Sequence, residues 1–336
     1  MAETTKESKS HYFHAEAHAL AGRLELPFKE EIKKQAFVKL EGQLADLEEE
    51  ERAQRNYFSQ NAKNFRLEGI ISYAAAHTQV SGHQSDKREN ASVTLATSVV
   101  EDLNILNVVT ADRVVAQIST THFQGQDAPE VTFLGTHFEN LRIARHQATP
   151  VMRLDLCEKR PAGKDATHVD AATGLMSSIK AQYSTLKASL AKFPQDKQQE
   201  MRLTHPSRSL PNQYYGFDLD SDQNKKQIAE QRDAAKDKKI RAKWDGIACS
   251  LVENVNLKAE KIELADGTDV TIPPPAHFFG HVIHIPHFGN VFLAELTVNH
   301  NSFHLTMIRV DMGCIAGGSA NFGSCNVNGG HKPGGP

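Results

Sequence analysis

Seventeen of the 336 residues are histidine, and six fall within a 28-residue stretch: His277, His281, His284, His287, His300 and His304. Neutral imidazole is a common ligand of zinc, copper and iron. The stretch therefore raises a transition-metal centre drawn from His281, His284, His287, His300 and His304, with zinc, copper or iron as the ion. Extended backbone puts His281 and His287 on one face and His284 on the other. Pro286 sits where it can break that register. His300 and His304 share a strand face at about 13 Å, too far apart for one ion. A metal site must then recruit across strands, for example His281 or His287 beside His300, His304 or Glu295. No HExxH signature is present. The plainer alternative is a row of half-exposed strand histidines.

Other chemistries find less support. The sequence has no GxGxxG or GxxxxGK[ST] nucleotide loop and no GxSxG nucleophile elbow. Asp218, Asp220 and Asp222 begin like a calcium loop, but the sixth and twelfth positions are Gln223 and Ala229 where Gly and Glu are required. The four cysteines, Cys157, Cys249, Cys314 and Cys325, form no CxxC pair and read as reduced thiols, although Cys314 and Cys325 could reach each other. Aromatics are 7% with one tryptophan, Trp244, too few for a carbohydrate-stacking platform. Thr121-His122-Phe123 and Thr136-His137-Phe138 read as facing strand residues.

Any site must be held by strands. His11 to Leu26 alternates, with Ala15, Ala17, Ala19 and Ala21 on one side, which predicts an N-terminal strand and places His11, His14 and His18 on it. Residues 29–63 are charged and rich in helix formers, including the run Glu48 to Glu51, and predict helix. From Phe65 to Leu156 short β-branched runs separated by Gly, Asn, Asp and Pro predict strands. Leu175, Met176, Ile179, Tyr183, Leu186 and Leu190 step by three and four, predicting a helix within 173–203. Residues 204–223 look like loop, and 224–243 carry dense mixed charge. Strands return after Asp245, and the Gly-rich end predicts disorder. The expected organisation is 1–64, an N-terminal strand plus charged helical segment; 65–157, a first β half; 158–245, a helical, charged insertion; 246–318, a second β half; and 319–336, a disordered tail.

A short pattern recurs: Val100-Glu101-Asp102-Leu103-Asn104-Ile105, Phe138-Glu139-Asn140-Leu141-Arg142-Ile143 and Val252-Glu253-Asn254-Val255-Asn256-Leu257. The first and third extend downstream, Ala111 to Ala116 matching Ala259 to Leu264. Apolar positions at period two point inward, so a duplicated strand-turn-strand unit must bury that face against other copies or a partner sheet. The fold class expected is mainly β: a β-sandwich or stacked-sheet body with duplicated strand units and a helical, charged insertion.

The stretch SVVEDLNILNVVTADRVVAQIS, residues 98–119, resembles the strand unit of the choice-of-anchor P group of bacterial proteins, a likeness spanning 65–155 and 247–323. Phe279 to Ile283 and Met312 to Gly318 are similar to FGHVI-like and MGCIAGG segments of other uncharacterised bacterial β-rich proteins. The resemblance implies a β-rich, non-enzymatic surface protein and carries over no catalytic residue.

Charge and hydropathy narrow the partners. Thirty-eight Lys and Arg against 41 Asp and Glu give a net charge of -3, which argues against nucleic acid. No apolar run approaches the roughly 18 residues of a membrane span. No secretory signal precedes His11, so a cytoplasmic location is expected, with secretion by another route open. The expected function is a non-catalytic structural or interaction protein whose partner is a protein or a second copy of the chain, met at exposed strand edges. The alternatives are a metal-binding protein or metalloenzyme using 277–304, and a small-ligand-binding β module.

Overall fold

The computed structural model describes residues 11–43, 56–85, 91–157 except 125 and 127, 160–161, 168, 174–195, 247–299 except 264–268 and 274, 302–313, and 317–331 except 329. The first strands are β1 (His11–Leu26), β2 (Glu30–Gln35), β3 (Val38–Gln43), β4 (Tyr57–Leu67), β5 (Ile71–Ser85), β6 (Ala91–Ile105) and β7 (Val109–His122). Short strands β8 (Glu130–Thr132), β9 (His137–Glu139), β10 (Arg142–Ile143) and β11 (His146–Met152) follow, then the helix α1 (Gly174–Leu190). The second half holds β12 (Ile247–Ser250), β13 (Val252–Leu257), β14 (Glu260–Glu263), β15 (Asp269–Ile272), β16 (His277–Phe279) and β17 (Val282–Ile285). It ends with β18 (Gly289–Asn299), β19 (Ser302–Gly313), β20 (Gly317–Asn328) and β21 (Gly330–His331).

Two antiparallel sheets stack face to face. The ten-stranded sheet runs β16-β17-β18-β19-β20-β1-β2, with β12 on β18 and with β3 and β21 on β1. The nine-stranded sheet runs β13-β11-β10-β7-β6-β5-β4, with β8 and β9 on β7. β14 and β15 form a separate hairpin. The sheets approach closely where their facing residues are small. Ala15 and Ala17 of β1 and Ala96 of β6 are fully buried. A Cβ added at Gly82 would lie 2.6 Å from Phe13. Ser98 Oγ donates to the His18 carbonyl at 3.0 Å, tying one sheet to the other.

The mainly β expectation holds, and so does the helix. Leu175, Met176, Ile179 and Leu186 of α1 are buried as their three- and four-residue spacing requires. Three expectations are corrected. Residues 30–35, 38–43 and 57–63 are strand where charged helix was expected. Their inward residues Ile32, Val38 and Leu40 alternate with polar ones, and β1 offers an open ladder that outweighs the helix propensity of Glu, Lys and Gln. Glu48 to Glu51 lie outside the described residues, as do 204–243 and Cys314. The Gly-rich end is not tail through 328: β20 lies between β19 and β1.

The third correction concerns the recurring pattern, which is not strict period two. Val100, Leu103 and Ile105 are buried, whereas Glu101 and Asp102 both face out. Asp102 has φ 53, and one left-handed residue swings the chain's facing by one position. Aspartate and asparagine tolerate that region better than most residues. Opposite, β7 makes the same change of phase between Ala111 and Val114, so the pairs Glu101↔Arg113 and Leu103↔Ala111 keep one register. Asn140 repeats the device at φ 48, and its Nδ2 donates to Asp112 Oδ2 at 2.6 Å. The downstream match does not fold alike: β7 is central in a sheet, whereas among the described residues β14 pairs only with β15.

Candidate functional site

The four candidate ligands among the described residues, His281, His284, His287 and His304, do not converge. His284 of β17 stacks on His277, its partner across the β16–β17 pair, with ring centroids 6.1 Å apart. His284 Nδ1 also lies 2.8 Å from Asn290 Oδ1. His281 is buried beneath α1 beside Glu295 and Arg309. His287 is an exposed turn residue at φ 63. His304 of β19 places Nε2 3.2 Å from Thr306 Oγ1 and neighbours His18 of β1. His300 lies outside the described residues. Among the described residues no three His, Cys, Asp or Glu side chains gather where they could hold a metal ion.

Glu295, the carboxylate that would complete such a set, is already engaged. Arg309 Nε donates to its Oε2 at 2.6 Å and Nη2 to its Oε1 at 2.9 Å. Arg309 Nη1 donates to Asp311, and the guanidinium lies 3.5 Å over the Phe292 ring. Arg309 and Glu295 are 2% and 3% exposed, so this ion network is part of the interior. Bidentate guanidinium–carboxylate pairing therefore engages both Glu295 oxygens.

Burial pushes His281 down from 6.5 to about 4; Arg309 adds to the shift and Glu295 opposes it. The imidazole is neutral near pH 7. In the unfolded chain it takes up a proton at about 6.5, in the folded chain only at about 4, so its contribution to stability is full above pH 6.5 and is lost as pH falls to 4. His281 alone should lower stability by about 3 kcal/mol across that window. His18, pushed down to about 3 by its own burial, acts in the same direction. Urea unfolding as a function of pH checks this: His281→Leu should flatten the fall between pH 6.5 and 4, and an unchanged slope would count against it.

Thiol chemistry is disfavoured at the described cysteines. Burial raises Cys157 to about 12 and drives Cys249 and Cys325 well up, so all three are protonated at neutral pH. Cys325 Sγ instead points at the Ala116 carbonyl, 3.5 Å away. Beneath α1 a cavity of about 90 Å³ is lined by Arg153, Gln182, Glu253, Gly280 and His281 among others. It is smaller than the roughly 300–1,000 Å³ typical of small-molecule sites. Two of its polar side chains are already partnered. Arg153 holds Asp155 at 2.8 and 3.1 Å, and the Gln182 amide donates to the Ser250 carbonyl and accepts from the Ser250 N–H.

The sheet edges differ sharply from one another. β2, at one end of the larger sheet, is EEIKKQ, four charges in six residues. β16, at the other end, has three residues. The charged sequence of β2 and the shortness of β16 discourage strand pairing. β13 ends the smaller sheet with six residues. β4, at its opposite end, has eleven, and Tyr57 to Ala62 carries no charge. Tyr57 and Phe58 are 48% and 39% exposed. Among the described residues no strand pairs with the far side of β4.

The ladder fixes which groups face out. Gly82 N–H donates to the Asn56 carbonyl at 2.9 Å, so Asn56↔Gly82 is a hydrogen-bonded pair. By the antiparallel alternation Phe58, Gln60 and Ala62 bond to β5, while Tyr57, Ser59, Asn61 and Lys63 direct N–H and C=O outward. Sequence reasoning missed this edge because YFSQNA sits beside a charged run of helix formers. Its signal was six uncharged residues opening on Tyr and Phe.

No curated protein and no solved structure matches the chain. The family described as Domain of unknown function (DUF8256) matches residues 11–299, and the chain belongs to that family.

Proposed function

We propose that this chain is a non-catalytic interaction protein that binds by strand addition along β4. The observation that carries it is the length, low charge and exposure of that edge, beside the short or charged edges elsewhere. A strand added there gains main-chain hydrogen bonds from four outward-facing residues, which is how extended segments dock on sheet edges. The resemblance of residues 98–119 to choice-of-anchor P strand units points the same way, toward a β-rich protein without catalysis.

Selection from a displayed library of random extended peptides tests it. Enriched peptides should bind the wild-type chain and lose most binding to Ser59→Pro. That substitution removes an outward N–H and leaves the β4–β5 ladder intact. Failure to enrich any peptide, or equal binding to Ser59→Pro, would sink the idea.

A further inference from the structure

We infer that the strand added to β4 is β4 of a second copy, forming a two-fold dimer centred on Gln60. This rests on the strand-addition reading and names its partner. Two identical strands pairing antiparallel obey two-fold symmetry, so the contact closes at a dimer. The outward-facing residues select the register. Tyr57, Ser59, Asn61 and Lys63 must oppose one another to exchange hydrogen bonds. One alignment uses all four: Tyr57 against the partner's Lys63, and Ser59 against the partner's Asn61.

The side chains tolerate that alignment. Phe58 then opposes the partner's Ala62, and Gln60 meets the partner's Gln60 on the axis. Lys63 is the one charge in the stretch 57–63, and it faces a tyrosine rather than another cation. Like charges directly opposite would disfavour pairing, and none occur. Asn64, at φ 56, turns the chain where the paired stretch ends. A shifted alignment leaves outward groups unmatched, or carries pairing past Asn64 toward Arg66. The dimer would join two nine-stranded sheets into one continuous sheet.

Light scattering behind size exclusion should give twice 37.1 kDa for the full chain, falling to 37.1 kDa for Ser59→Pro. Register is read by cross-linking. Gln60 and the partner's Gln60 form a non-hydrogen-bonded pair with Cα atoms about 4.5 Å apart, within reach of a disulfide. Gln60→Cys should therefore give a covalent dimer with oxidised glutathione, which accepts the two thiol hydrogens. Phe58→Cys should not, because the two copies of residue 58 lie four residues apart along the strand, about 13 Å. A mass of 37.1 kDa at every concentration overturns the dimer. So does a dimer in which Phe58→Cys links as readily as Gln60→Cys. If the chain is monomeric yet peptides that depend on Ser59 are still selected, the dimer fails and strand addition stands.

Discussion

Arg309→Met is expected to lower stability by about 3–5 kcal/mol, the usual cost of removing one partner from a buried ion pair. The guanidinium holds both oxygens of Glu295, which is 3% exposed, and reaches Asp311 as well. Without it Glu295 must stay charged in an apolar surround or bind a proton, and either course is unfavourable. Phe292 also loses the cation over its ring. The double variant Arg309→Met with Glu295→Leu should recover most of the loss, since apolar groups of similar size can replace a buried pair at little cost. Urea unfolding of the two singles and the double gives the coupling directly. A single variant within 1 kcal/mol of wild type would mean that Glu295 is not held as a buried anion.

That network bears on what a sequence can reveal about a site. His281, Glu295 and Arg309 are visible as chemistry-bearing residues, and Glu295 can be named as the carboxylate a metal would recruit. Their convergence is not visible, because it depends on which strand faces meet. Left-handed residues change those faces. Gly280 at φ 69, His287 at φ 63 and Ala294 at φ 47 each reset the direction of the side chains that follow. Counting by two from His281 fails to place His287 beside it, because β17 ends at Ile285 and residues 286–288 form a turn. The same limit hid the recurring pattern's meaning. Its two consecutive outward residues are written in the sequence, but the φ that makes them fit is not.

Elements fared better where one period dominated. The six apolar residues of α1 could belong to no strand, and the β-branched runs of β5, β6 and β7 lay between turn residues. The misread stretch 30–43 shows the competing force. Glu, Lys and Gln prefer helix by tenths of a kcal/mol per residue, and an open edge on β1 together with burial of Ile32, Val38 and Leu40 exceeds that.

Phe322→Ala should cost about 3–5 kcal/mol, a magnitude reserved for a large side chain in a tightly packed interior. A disordered tail would give no change at all. Phe322, Ala320, Cys325 and Val327 are fully buried, and β20 fills the gap between β19 and β1. Its glycines serve close packing. A Cβ at Gly318, where φ is 138, would lie 2.2 Å from the Arg23 carbonyl oxygen, and Gly323, at φ 61, lies against Met307 and Val114. A chain ending before Gly317 would leave the ladders of both β19 and β1 unpaired in the middle of the larger sheet. Such a chain should show no cooperative thermal transition. Asn328→Ala, at the exposed end of the same strand, should melt within about 0.5 kcal/mol of wild type. A cooperative melt without β20, or a Phe322→Ala variant as stable as the parent, would return the segment to the status of a tail.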